Sequence, residues 1–216
     1  MKFASFTLLA LLLAPAVAAA QPSSAPPPPP SPGGYYAQPG YRPGGFFDRE
    51  GHLSLGFGFG LGFMSSDTGA ISCDNCDYEP ITFSADFHVG GMLSPRLALL
   101  AEFQVNGQTV EDHYPDGAAT LGQGALMVAG QFWLTPRFWL KGGLGFAGLS
   151  ITHSDYYEDS SENIANGTAL LLGAGYEFYA RQDFSVDLQG RLFVGSYDSL
   201  EDHITSGTIG LGFNFF

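Results

Sequence analysis

Hydrophobic residues alternate with small or polar residues along most of the chain after Glu50. In the first such segment, every second residue from Leu53 to Phe63 is Leu or Phe, and the residues between them are Ser or Gly. A period of two is typical of a β-strand with one apolar face and one small or polar face. The pattern therefore predicts a strand whose two faces meet very different surroundings.

Seven further segments repeat this pattern, although the fourth segment alternates less clearly and does not reveal which face is which. Their lengths fit strands rather than membrane-spanning helices, which need about 20 apolar residues. We therefore predict eight strands, at residues 53–63, 81–93, 97–105, 120–134, 138–151, 168–178, 184–196 and 205–215.

The connections between the strands alternate between short and long. Outer-membrane barrels are built in this way, with the short turns on the periplasmic side. An even number of strands then places both ends of the barrel on that side. The short turns are 94–96, 135–137 and 181–183, and the long or polar connections are 64–80, 107–117, 152–167 and 197–203.

The charges are divided between the two kinds of connection. Each short turn carries one arginine, whereas the long connections carry fourteen acidic residues and no Lys or Arg. The surface of a soluble protein usually mixes charges of both signs. A soluble barrel would also place the glycine face of its strands outside, and glycine is poorly suited to the interior of a strand. The fourteen are Asp67, Asp74, Asp77, Glu79, Glu111, Asp112, Asp116, Asp155, Glu158, Asp159, Glu162, Asp198, Glu201 and Asp202.

These observations together predict an all-β protein, an eight-stranded antiparallel up-and-down transmembrane β-barrel at residues 50–216. Its glycine face would line the lumen and its Leu/Phe face would contact lipid. The whole chain has 8 Lys plus Arg against 21 Asp plus Glu, which excludes nucleic acid as a partner because phosphates require basic patches.

The residues before the barrel read as a signal peptide and a linker. Residues 1–20 have a positive Lys2, an apolar segment from Phe3 to Leu13 and a small-residue cleavage site at Ala18–Ala20. Residues 21–49 are rich in Pro and Gly and include the proline run Pro26–Pro30, which favours extended polyproline II. We predict a periplasmic linker there.

Residues 50–216 resemble the OmpA/OmpX-type family of eight-stranded outer-membrane barrels of Gram-negative bacteria. The segment Trp133–Phe146 also resembles a group of small glycine-rich barrel proteins, and Phe216 is similar to the final aromatic residue of the family. The resemblance implies an outer-membrane location, contact with lipopolysaccharide, and recognition by the assembly machinery through Phe215 and Phe216. By strict alternation, however, Phe216 lies on the face opposite Phe215. We expect a monomer.

Cys73 and Cys76 form a C-x-x-C motif in the first long connection. A redox pair would require a helix N-terminus in a thioredoxin-like fold. A zinc site would require two further Cys or His ligands, and only a histidine such as His113 or His153 could contribute one. A disulfide that staples the loop is the favoured interpretation in an exported protein.

Six charged residues lie on the predicted lumen face of the strands. Unpaired buried charges are costly, so we expect these residues to pair and fill the lumen. Lys141 and Glu177, on neighbouring strands, are the expected couple, with Arg191 near Asp187 or Glu102. The six are Asp86, Glu102, Lys141, Glu177, Asp187 and Arg191.

The acidic connections are the candidate site for an extracellular ligand or a divalent cation. Asp74, Asp77 and Glu79 lie beside the cysteine pair, and hard cations such as calcium prefer several carboxylate oxygens on a flexible loop. The competing interpretation is a hydrated, screened acidic rim.

We expect a non-enzymatic outer-membrane protein that reinforces the envelope and presents acidic loops for interaction, with no cofactor. One alternative is a narrow, porin-like pore for small solutes. The other is a lipid-modifying enzyme, for which His153, Ser154 and Asp155 offer the residue types. Adjacent residues do not form a catalytic triad, however, because their side chains alternate in direction.

Overall fold

The computed structural model describes residues 45–74, 76, 80–113, 117–154, 159–198 and 203–216, and within them the chain is all β. None of these residues forms a helix long and apolar enough to cross a membrane. The strands are β1 (Leu53–Ser66), β2 (Gly69–Ala70), β3 (Thr82–Ser94), β4 (Leu97–His113), β5 (Gly117–Trp133), β6 (Phe138–Ser154), β7 (Asp159–Ala180), β8 (Phe184–Tyr197) and β9 (His203–Phe215).

The eight long strands form a closed antiparallel barrel. Each pairs with the next along the chain, and β1 also pairs with β9, which closes the ring. The two-residue strand β2 only folds back onto the end of β1. The predicted eight-stranded up-and-down barrel is thus confirmed.

Most strands are longer than the alternation predicted, and β4 and β7 exceed their predicted ranges by the most. Strand β4 continues to His113 and β7 begins at Asp159, so much of the segments 107–117 and 152–167 is strand rather than loop. Most residues of these segments are polar, so they carry no clear period-two hydrophobic signal. The predicted connections 107–117 and 152–167 were therefore drawn too long, because strands β4 to β7 extend into them.

Large apolar side chains cover the outside of the barrel. Leu144 and Phe146 remain 68% and 78% exposed, and Phe57 stacks on Phe213 of the neighbouring strand with 5.1 Å between ring centroids. A water-soluble protein rarely exposes so extensive an apolar surface, whereas lipid covers it at no cost. The Leu/Phe face is therefore the lipid face.

The lumen is filled by side chains in three layers. Around the short turns lies an apolar layer that includes Met92, Trp133 and Trp139. Near the long connections lies a second apolar layer, which includes Leu171 and Phe193. A polar and charged layer separates the two. An eight-stranded barrel is just wide enough to be filled in this way.

Glycines on the inner face make room for the largest of these side chains. A Cβ at Gly175 would collide with the indole of Trp139, and a Cβ at Gly58 would collide with the side chains of Asp86 and Gln189. The glycine-rich inner face is therefore the space into which the filling side chains pack.

Candidate functional site

The middle layer of the lumen contains a buried ion-pair network. The ammonium Nζ of Lys141 lies 3.0 Å from Oε2 of Glu102, and the guanidinium of Arg191 pairs with both Glu102 and Asp86. These side chains are at most 3% exposed. They come from β3, β4, β6 and β8, so the network joins strands across the lumen.

Further hydrogen bonds tie neighbouring groups to this network. Asp187 accepts a hydrogen bond of 2.8 Å from Nδ2 of Asn214 and one of 3.3 Å from Nε1 of Trp139. Gln189 donates to Oδ1 of Asp86 at 3.2 Å. The structure thus places all six charged residues of the predicted lumen set inside the barrel, where they are buried.

The expected pairing of Lys141 with Glu177 is wrong. Lys141 stands opposite Gly173 in the strand register, so Glu177 lies four residues closer to the short turns. Gly173 in turn stands opposite Arg191, which brings Lys141 and Arg191 to the same height. Both cations therefore reach Glu102, and Glu177 has a different partner.

That partner is Arg49, the last residue of the predicted linker. Its guanidinium donates to both carboxylate oxygens of Glu177, at 3.1 and 3.2 Å, and to the main-chain oxygen of Arg181 at 2.7 Å. Nε1 of Trp133 donates to the same carboxylate at 2.8 Å. Arg49 is 2% exposed, so the barrel domain begins before residue 50 and the predicted linker boundary is too late.

Aromatic rings surround this ion pair and close the periplasmic mouth. Cζ of Arg49 lies 3.8 Å from the ring centroid of Phe216, which meets Trp133 edge-on at 6.2 Å. Arg96 lies over the ring of Phe46 at 3.9 Å. Gly51, with φ of 77°, allows the tight turn that leads from this plug into β1. We call residues 46–49 with Glu177 the periplasmic plug.

The last two residues face opposite ways, as strict alternation requires. Phe215 is exposed on the lipid face, where its ring lies 5.0 Å from that of Phe184. Phe216 packs against the lower apolar layer, and its amide donates to the main-chain oxygen of Asp183 at 3.0 Å. Recognition of this pair by the assembly machinery stays a prediction.

At the opposite end, β4, β5, β6 and β7 continue past their neighbours as a four-stranded sheet. We call this the outer sheet. The outermost pair of β4 with β3 is Gly107 with Phe83, whereas β4 and β5 stay paired as far as His113 and Gly117. In the same way, β8 first meets β7 at Gly167, while β6 and β7 stay paired as far as Ser154 and Asp159.

The two edges of the outer sheet differ. The first connection lies along the β4 edge, where the amide of Asp74 donates to the main-chain oxygen of Val110 at 3.1 Å and Gln108 donates to that of Ile71. On the other side, residues 159–166 of β7 pair with β6 but face no strand on their β8 side among the residues that the structure describes, although the amide of Asp198 donates to the main-chain oxygen of Asn166 at 3.0 Å. This stretch, the β7 edge, is eight residues long.

Cys73 and Cys76 form a disulfide in the first connection, with their Cα atoms 5.5 Å apart. The predicted cation ligands Asp77 and Glu79 lie outside the described residues. In the part of the chain that is described, no three His, Cys, Asp or Glu side chains are grouped as a metal site. Calcium binding at Asp74, Asp77 and Glu79 therefore stays a prediction.

His153, the histidine considered for the enzyme alternative, lies in β6. His153 is exposed near the tip of the β6–β7 hairpin, opposite Ser160 in the register. Asp155 lies outside the described residues. The arrangement is therefore that of an extended hairpin, in which successive residues alternate between its two faces.

No protein-family model and no curated protein matches this chain. Among solved structures it is similar to Ail, the attachment invasion locus protein of Yersinia pestis, in complex with the heparin analogue sucrose octasulfate. The two share 17% identity over 77% of this chain and 99% of Ail, with a TM-score of 0.50. Neisserial surface protein A is 14% identical over 76% of this chain and 96% of that chain, also with a TM-score of 0.50. At such identities the likeness is one of fold.

Proposed function

Because this chain has the fold of the OmpA/OmpX-type eight-stranded outer-membrane barrels, we propose that it is a non-enzymatic outer-membrane protein that presents an acidic sheet to extracellular partners. The observation that carries the proposal is the outer sheet, whose β7 edge faces no further strand within the part of the chain that the structure describes. The barrel itself reinforces the envelope and holds this sheet outside the membrane.

The β7 edge offers the geometry that an extended peptide requires. Eight residues at about 3.4 Å each give an edge of roughly 27 Å. An exposed edge presents unpaired main-chain N–H and C=O groups, to which an extended segment of another protein can add as a further strand. The edge carries Asp159 and Glu162 and no cation.

The charge of the outer rim selects the kind of partner. The solved structure of Ail holds a sulfated heparin analogue. In this chain the four outer connections carry fourteen acidic residues and no Lys or Arg, so a sulfated ligand would be repelled. Complementary charge speeds encounter and excludes wrong partners, which favours an extended segment rich in Lys or Arg.

The filled lumen supports the preference for an interaction protein over a pore. Lys141, Glu102 and Arg191 meet in the middle of the barrel, and apolar layers lie on both sides of them. An ion would have to displace both the network and the packed side chains. A role in solute passage therefore has less support than a role at the outer sheet.

A binding experiment with the refolded protein in lipid nanodiscs tests the proposal. The probe is a labelled extended peptide of alternating Lys and Thr, and sucrose octasulfate is the anionic comparison. In the shortened variant an Asn-Gly turn replaces residues 151–162, joining the paired residues Ser150 and Asn163. Asp183→Asn, in a short turn, is the charge control.

We expect the peptide to bind the wild-type protein and the Asp183→Asn variant, and to bind less tightly as salt is added. The shortened variant should lose this binding, and sucrose octasulfate should bind neither protein. Equal peptide binding by the wild-type protein and the shortened variant would exclude the outer sheet as the binding surface.

A further inference from the structure

Two arginines and three aromatic residues lie together at the periplasmic end of β7. The main-chain oxygen of Arg137 accepts a hydrogen bond of 2.7 Å from the amide of Glu177, and its Nη1 donates to the main-chain oxygen of Phe178 at 3.5 Å. Cζ of Arg181 lies 5.5 Å from the ring centroid of Tyr179. Both arginine side chains are exposed. Arg137, from the turn before β6, contacts β7 at Glu177 and Phe178, three to four residues before Arg181 in the chain.

An irregularity in β7 turns an additional aromatic ring towards the lipid. The register with β8 shifts between Glu177 and Tyr179, so that Tyr179 is exposed beside Phe178 and Tyr176 rather than buried in the lumen. Aromatic rings of this kind collect at the membrane–water boundary. The arginines and these rings therefore lie at the level of lipid headgroups in the periplasmic leaflet.

Directly above them, the lipid face contains a recess. Ala174, Gly190, Ile209 and Leu61 stand side by side on β7, β8, β9 and β1, and the two small residues leave a groove between larger neighbours. The cavity has a volume of about 540 Å³ and an almost wholly apolar lining. An unbranched hydrocarbon chain fits such a groove.

The separation of the groove from the arginines matches one leaflet. Strand β8 starts at Phe184, close to Arg181, and Gly190 follows six residues later. Six residues of strand span about 20 Å. With a strand tilt of about 40°, this is roughly 15 Å along the membrane normal. Half of a hydrocarbon core of about 30 Å has the same depth.

The charges at this site favour an anion. Within the described residues, neither the guanidinium of Arg137 nor that of Arg181 forms an ion pair with a carboxylate. Asp183 is in the same turn as Arg181 and partly offsets its charge. Asp48 also lies beside this turn, where its main-chain oxygen accepts a hydrogen bond of 3.2 Å from Gln182. The two arginines nevertheless present two exposed guanidinium groups at the headgroup level, one leaflet away from the groove.

We propose that this face binds one anionic diacyl phospholipid of the periplasmic leaflet. Arg137 and Arg181 hold its phosphate, the rings of Tyr176 and Tyr179 flank its glycerol backbone, and one acyl chain lies in the groove at Ala174 and Gly190. The proposal rests on the transmembrane orientation given under the proposed function, but not on any partner of the outer sheet.

Native mass spectrometry of the refolded protein in detergent tests the headgroup site. Phosphatidylglycerol and phosphatidylcholine with identical acyl chains are titrated separately. Each basic residue near an anionic surface contributes about fivefold in affinity, so the wild-type protein should prefer phosphatidylglycerol by about tenfold or more. The double variant Arg137→Gln, Arg181→Gln should lose that preference. Arg96→Gln, which removes the same charge from another short turn, should keep it.

A second variant tests the groove. A Cβ at Gly190 meets nothing within 4 Å, and neither does one at Gly142 on the lipid face of β6, so both positions accept a leucine. Gly190→Leu fills the groove and should reduce the binding of both lipids severalfold, whereas Gly142→Leu should bind them as the wild-type protein does. Inorganic phosphate at equal concentration should not displace the lipid.

Three results would overturn the proposal: equal binding of the two lipids by the wild-type protein, an equal loss with Arg96→Gln, or unchanged binding with Gly190→Leu. Peptide binding at the outer sheet reports on the proposed function separately. The lipid experiment can therefore fail while the peptide experiment succeeds, and the reverse, so the failure of each proposal is recognised separately.

Discussion

Replacing Arg49 with methionine tests whether the periplasmic mouth is closed by a specific buried ion pair. Methionine keeps most of the apolar volume of the side chain but removes the guanidinium. Glu177 would then remain fully buried, with the 2.8 Å hydrogen bond from Trp133 as the main remaining stabilisation of its charge. An uncompensated buried carboxylate strongly favours unfolding.

The structure supports a large effect. Arg49 makes two charge-assisted hydrogen bonds to Glu177 and a third hydrogen bond to the main chain of Arg181, and its guanidinium lies over the ring of Phe216. Removing one partner of a buried ion pair typically costs about 3–5 kcal/mol. We therefore expect Arg49→Met to lower the free energy of unfolding by about 3–5 kcal/mol.

The double variant Arg49→Met, Glu177→Gln is the decisive comparison. Its glutamine can still accept from Trp133 and leaves no buried charge, so most of the lost stability should return. Arg96→Met removes an exposed cation from the same rim and should cost at most about 1 kcal/mol. The measurement is urea unfolding in detergent micelles, followed by tryptophan fluorescence. A loss with Arg49→Met no greater than that with Arg96→Met would refute the account of the plug.

Three further predictions concern the lumen and the outer rim. Lys141→Ala should lower the free energy of unfolding by about 3–5 kcal/mol, because Glu102 loses one of its two cations inside the barrel; urea unfolding no easier than that of the wild-type protein would contradict the network. The refolded barrel in planar bilayers should show no steady conductance, and a stable open level would favour the pore. Calcium at millimolar concentration should bind the wild-type protein in calorimetric titration, and more weakly after Asp74→Asn, Asp77→Asn and Glu79→Gln; identical titrations would remove the first connection as a cation site.

Local pattern was sufficient to predict the barrel and its two faces. From Leu53 to Phe63, Leu and Phe alternate with Ser or Gly. The large apolar residues suit contact with lipid and the small residues suit a crowded lumen, and a membrane barrel provides both surroundings. The same alternation correctly predicted that Glu102 and Lys141 lie inside. The face on which a residue lies follows the period of two wherever the strand is regular, and the irregularity between Glu177 and Tyr179 interrupts it.

Partners across the lumen could not be predicted in this way. Lys141 and Glu102 lie on β6 and β4, which are not neighbours in the sheet. Whether their side chains meet therefore depends on the shear of the whole barrel, which sets the heights of the strands relative to one another. Arg49 lies at the end of a segment rich in Pro and Gly, and its burial depends on a mouth formed by Trp133 and Phe216. The Phe46–Phe47 pair just before Arg49 was the one local signal that this segment packs against the barrel.

The most direct test of the central claim is the sidedness of the barrel in intact cells. Ser161→Cys on the β7 edge and Thr135→Cys in a short turn are compared in a background with Cys73→Ser and Cys76→Ser, and a membrane-impermeant maleimide is applied. The account predicts that Ser161→Cys is labelled on intact cells and that Thr135→Cys is labelled only after the envelope is broken. Labelling of Thr135→Cys on intact cells, with Ser161→Cys protected, would contradict it.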